Sequence, residues 1–142
     1  MATIRSCLAL LLGLAFVMSE SCFAYRFDAW RIRVFNDMSH GETLRIHCKS
    51  KDDDLGRQTL KVGNNLKWEF RENIWLTTLF WCNINSPYGH AALEVFNSRD
   101  PVLYFRCHGY VCIWSIRDDG IYVRNSSQNN NYELIAKWEP GR

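Results

Sequence analysis

Residues 60–71 read Leu60-Lys61-Val62-Gly63-Asn64-Asn65-Leu66-Lys67-Trp68-Glu69-Phe70-Arg71. From Leu66 to Arg71 apolar and charged side chains alternate strictly, the period of a half-buried strand. Ahead of them, Leu60-Lys61-Val62 carries the same alternation and stops at Gly63-Asn64-Asn65. Glycine and asparagine admit the positive φ of a tight turn. Two strands about one turn predict a hairpin here.

Outward from this segment the pattern repeats. Residues 30–35 (WRIRVF) and 43–48 (TLRIHC) alternate in the same way. Residues 77–82 (TTLFWC) are rich in strand formers, and residues 91–96 (AALEVF) follow the turn Pro87-Tyr88-Gly89. Further strands are predicted at 102–107, 111–116, 120–123 and 132–138. Short strands at regular spacing predict an all-β fold, a small antiparallel β-sandwich. No helical period exceeds one turn, and neither a repeat nor a second domain is visible. The six tryptophans all lie on or beside these strands. Core packing is their default role, with Trp75, in the loop Glu72-Asn73-Ile74-Trp75, the one expected to be exposed.

Residues 1–24 have the form of a secretory signal peptide. A short n-region with Arg5 precedes an apolar run from Cys7 to Met18, and Cys22-Phe23-Ala24 offers small residues for cleavage after Ala24. The run is too short to span a bilayer. Residues 25–142 then form one domain bearing four cysteines, Cys48, Cys82, Cys107 and Cys112. An even count in a small secreted chain predicts two disulfides, and three connectivities stay open. Each bridge contributes about 2–4 kcal/mol. A formal net charge of +2 is too near neutral to predict nucleic acid or an anionic membrane as partner.

The segment Lys49-Ser50-Lys51-Asp52-Asp53-Asp54-Leu55-Gly56 raises the question of a metal site. A calcium loop alternates its acids and closes on a bidentate Glu; here the acids are adjacent and no Glu follows at that distance. A solvated turn between two strands is the expectation, with Gly56 supplying a positive φ. His40, His47, His90 and His108 show no metal spacing, and no G-x-S-x-G occurs. A glycosidase needs two carboxyls facing each other about 5–10 Å apart, which Asp52-Asp53-Asp54 and Asp118-Asp119 do not establish. Neither an enzyme nor a cofactor is expected. Asn125-Ser126-Ser127 is an N-glycosylation sequon, expected in an exposed loop.

Taken together, "HCKSKDDDLG", "WEF" at 68–70, "TTLFWC" at 77–82 and "C-x4-C-I-W-S-I-R-D-D-G-I-Y" at 107–122 resemble the plant self-incompatibility S1 family, the S-protein homologues. The resemblance spans essentially the whole of residues 25–142. It implies a small secreted protein with a disulfide-held β-sandwich. The family's founding members are stigma-side determinants that act as ligands for a receptor on pollen, and most homologues have no established role. For this chain it implies an extracellular ligand of a cell-surface receptor, a monomer, with no membrane insertion. The loops that would meet the receptor carry Asp52, Asp53, Asp54, Trp75, Arg117, Asp118 and Asp119. A cell-wall carbohydrate-binding module, with Trp75 or Tyr88 stacking on sugars, is the alternative.

Overall fold

A computed structural model describes residues 28–140; the leader expected at 1–24 lies outside them. Nine strands and one short helix follow in order: β1 Ala29–Asn36, β2 Leu44–Lys49, β3 Asp54–Leu60, β4 Asn65–Arg71, β5 Leu79–Ser86, β6 Gly89–Asn97, α1 Pro101–Arg106, β7 Val111–Arg117, β8 Gly120–Asn125 and β9 Asn131–Ala136. They form two sheets, ordered β4-β1-β7-β8-β9 and β3-β2-β5-β6. The sandwich expectation holds. Every pairing is antiparallel except β1 with β7, which run parallel. Such neighbours need a long crossover, here every strand of the second sheet together with β4 and α1.

The hairpin expected across residues 60–71 does not form. β4 pairs with β1 in one sheet, whereas β3 pairs with β2 in the other. Residues 61–64 therefore cross the sandwich, and Asn36 shows why. Its side chain is fully buried and donates to the carbonyls of Leu60 and Glu42, at 2.9 and 3.0 Å. Its backbone accepts from Gly63 N–H and donates to Asn64 O. The side chain and backbone of Asn36 together thus take the place of ladder bonds that the hairpin would have made. The strand read from Leu60 is instead β3, which begins earlier, at Asp54, and ends at Leu60; Gly56 has φ +78° within it rather than in a turn.

Alternation sets the inner layer. Trp30, Ile32 and Val34 of β1 point inward while Arg31 and Arg33 point out. Aromatic rings join the sheets: Trp30 and Phe70 of one pack on Phe96 of the other, with centroids 4.8 and 4.7 Å apart, and Phe70 also meets Phe80 at 4.6 Å. The two pairs with Phe96 are edge-on, an arrangement that adds about 0.5–1.5 kcal/mol to the burial. Cys48 and Cys82 are directly opposed on β2 and β5 and form one disulfide; Cys107 and Cys112 form the other. No free cysteine remains among the described residues.

Residues 102–107, expected as a strand, instead form α1. Asp100 accepts from Val102 N–H at the N-cap and Pro101 occupies the first turn, both helix-starting features. Cys107 closes the helix, its N–H donating to Leu103 O, and its bridge to Cys112 leads into β7. The apolar spacing Val102-Leu103-Tyr104-Phe105 fits either element. Only Leu103 is buried.

Candidate functional site

The loops fall into two groups at opposite ends of the sandwich. At the helix end lie residues 50–53, 72–78, 98–110 and 126–130. There Tyr104 OH donates to Glu72, Ser98 N–H to Thr78 O and Ser126 N–H to Arg106 O. At the turn end lie residues 37–43, 61–64, 87–88 and 118–119, where Ser39 donates through N–H and Oγ to Asp118, and Tyr88 OH donates to Glu42.

The candidate residues divide between the two. Asp52, Asp53 and Trp75 line one cleft of about 510 Å³ at the helix end, together with Lys51, Arg71 and Trp81. Arg117, Asp118 and Asp119 lie at the turn end, where each is engaged within the fold. Arg117 lies 4.5 Å from the ring centroids of both Tyr122 and Tyr132 and donates to Ser115 Oγ. Asp119 accepts from Tyr122 OH. Bonds from the Ser39 hydroxyl and then its N–H hold Asp118 below its ordinary carboxylate value. Asp54 sits apart on β3, its pKa lowered by the Gly56 N–H and then by His47, whose Nε2 lies 2.6 Å from it. The two acidic runs thus belong to different ends and form no facing pair.

The helix-end loop is built around Asn73. Its Nδ2 donates to Thr77 Oγ1, its Oδ1 accepts from Thr77 N–H, and its backbone N–H donates to Thr78 Oγ1, all at 2.8–2.9 Å. Its carbonyl accepts from Leu76 N–H. Glu72, just before it, accepts from Trp30 Nε1 and Tyr104 OH, both at 2.7 Å. These bonds use up the local polar groups and turn Ile74, Trp75 and Leu76 outward. Trp75 is 75 % exposed and Ile74 63 %. Leu76 has φ +52°, a left-handed conformation that costs a branched residue energy. Beside the loop, α1 exposes Phe105 at 69 %. Phe105 belongs to the mis-assigned segment, and its exposure follows from the helix; the Asp100-Pro101 pair was the signal for it.

Across the 50–53 turn, Ser50 N–H donates to Asp53 O and Asp53 N–H to Ser50 Oγ. The carboxylates of Asp52 and Asp53 make no hydrogen bond or ion pair among the described residues. Acidic and aromatic groups therefore face solvent together. Asn125 is not in an exposed loop: it ends β8 at 7 % exposure, its Nδ2 donating to Glu133 and its Oδ1 accepting from Ser127. No group of three or more His, Cys, Asp or Glu side chains suited to a metal occurs among the described residues, and no helix there is long and apolar enough to cross a membrane.

The profile of the family described as "Plant self-incompatibility protein S1" matches residues 31–138. S-protein homolog 1 of Arabidopsis thaliana is 43 % identical over 116 residues, covering 82 % of this chain and 76 % of its own. Self-incompatibility protein S1 of Papaver rhoeas is 33 % identical over 130 residues, covering 87 % of this chain and 88 % of its own. A solved self-incompatibility protein homologue shares the fold with a TM-score of 0.61 at 18 % identity, over 80 % of this chain and 96 % of its own; it is described as one of a widespread family of small, highly stable, secreted proteins from plants. Sequence and fold agree: this chain belongs to the plant self-incompatibility S1 family, a family of secreted plant proteins.

Proposed function

We propose that the chain is an extracellular protein ligand, without catalytic activity, that engages a cell-surface protein receptor through the helix end of its sandwich. One observation carries this reading. A hydrogen-bonded scaffold around Asn73 holds Ile74, Trp75 and Leu76 out of the fold, beside the free carboxylates of Asp52 and Asp53. Exposed aromatic anchors rimmed by charge are the usual centre of a protein interface. Arg117, Asp118 and Asp119 are left out of the contact, because their side chains are already committed to Tyr122, Tyr132 and Ser39. Membership in a family that includes Self-incompatibility protein S1 supports a role in recognition between cells. The alternative, a cell-wall carbohydrate-binding module with Trp75 or Tyr88 stacking on sugars, has less behind it: Tyr88 OH is bound to Glu42, and Trp75 lies beside the carboxylates of Asp52 and Asp53. Asn125 stays a proposed glycan acceptor, and mass spectrometry of the secreted chain reads its occupancy.

The test is saturable binding of the fluorescently labelled secreted chain to live plant cells. The reading expects binding that is lost on protease treatment of the cells and in Trp75→Ala. Binding unaffected by both treatments contradicts it.

A further inference from the structure

The outward face of the β3-β2-β5-β6 sheet carries a second arrangement, away from both loop ends. Its register sets six side chains in two rows: Thr59, Arg45 and Asn85 across one, Arg57, His47 and Asn83 across the next. They line a shallow depression of about 440 Å³. Arg45 and Arg57 are diagonal neighbours on antiparallel strands, about 7–8 Å apart at the backbone. Neither guanidinium has a hydrogen bond or ion pair among the described residues, and neither Asn83 nor Asn85 has a side-chain partner there.

The acids nearby do not neutralise them. Asp54 accepts from His47 and from Gly56 N–H, Glu94 accepts from Asn97, and Glu139 lies 3.1 Å from His90, which continues the Arg45 row beyond Asn85. Lys49 lies in the following row, 5.9 Å from the centroid of Trp81. The face therefore presents two guanidinium groups without partners on a flat, hydroxyl- and amide-bearing surface, with aromatic surface and acids only at its margin. Two planar forks suit spaced carboxylates, and neighbouring amides suit the hydroxyls between those carboxylates. A protein partner would want an apolar centre, which this grid lacks.

We propose that this sheet face binds a carboxylate-bearing polysaccharide, a polyuronate, with Arg45 and Arg57 pairing to uronate carboxylates and Asn83 and Asn85 bonding to ring hydroxyls. The site is separate from the helix-end loop. A small secreted protein that holds an acidic glycan by one face keeps its receptor-facing end free.

The probe is a linear galacturonate oligomer titrated calorimetrically into the full secreted chain at physiological salt. Its methyl ester and dextran sulfate, which carries sulfates and no carboxylates, are titrated in parallel. Arg45→Gln/Arg57→Gln is compared with Arg33→Gln/Lys67→Gln, a change of equal charge on the opposite sheet, and near-ultraviolet circular dichroism checks that both are folded. The proposal expects binding of the free acid that weakens roughly tenfold or more in the ester and in Arg45→Gln/Arg57→Gln, and weaker binding of the sulfated chain. It expects little change in Arg33→Gln/Lys67→Gln or in Trp75→Ala. Absent binding, equal binding of acid and ester, tighter binding of the sulfated chain, or equal loss in the two double variants overturns it. Retention of oligomer binding in Trp75→Ala alongside lost cell binding leaves both sites standing as distinct.

Discussion

The two ends of the sandwich use the same kind of bond for opposite purposes. At the turn end, Asn36, Glu42, Tyr88 and Asp118 bond across loops, so polar side chains close the fold on itself. At the helix end, Glu72 anchors the loop to Trp30 and Tyr104 while Asn73 bonds within it, and the result is that Trp75 and Ile74 face solvent. Hydrogen bonding at a loop is thus no guide to whether that loop serves stability or recognition. What separates them is the character of the side chains left over after the polar groups are satisfied.

The largest expected effect lies at the turn end. Asn36→Ala leaves the Leu60 and Glu42 carbonyls without their donor and is expected to destabilise by about 1–3 kcal/mol, read by denaturant unfolding. Arg117→Ala comes next. Loss of its stacking between Tyr122 and Tyr132 is expected to cost about 1–2 kcal/mol with no loss of cell binding. The helix end should respond in the opposite sense. Leu76→Asn relieves a left-handed leucine and is expected to raise stability by up to about 1 kcal/mol, while weakening recognition by removing one of the displayed apolar side chains. An unchanged or lowered stability would mean that Leu76 packing outweighs its strain.

Acid titration sharpens the contrast further. Asp118 has a folded pKa below its ordinary 3.8, so its contribution is fully present above that value. It is lost as pH falls through the lower, folded pKa. Asp118→Asn should flatten the acid limb of stability below about pH 4. Smallest of all is Trp75→Ala. Its effect on stability is expected within about 0.5 kcal/mol, although its effect on binding is expected to be large.

The strands were legible because β1, β2 and β4 alternate by burial as their sequences alternate by polarity. The partner of each strand was not. Gly63-Asn64-Asn65 turns the chain in a hairpin and in a sheet crossing alike; the deciding contact, from Asn36, is 24 residues from Leu60. In α1 the run Val102-Leu103-Tyr104-Phe105 outweighed the Asp100-Pro101 start signal, since four apolar residues fit a strand as well as a helix turn. Trp75 was legible as exposed because no alternation surrounds it. The split of Asp52 and Asp53 from Asp118 and Asp119 was hidden, because adjacent acids in a turn look the same wherever the turn lies. The rows on the second sheet were hidden for a related reason: Arg45, Arg57, Asn83 and Asn85 are outward positions of three strands, and only register sets them side by side.

The most direct measurement is competition for live plant cells between labelled wild-type chain and unlabelled Trp75→Ala or Arg117→Ala, each first shown to be folded by denaturant unfolding. The account predicts that Arg117→Ala displaces the label as wild type does, despite its lower stability, and that Trp75→Ala does not displace it. Displacement by Trp75→Ala together with failure of Arg117→Ala would place recognition at the turn end and contradict the account.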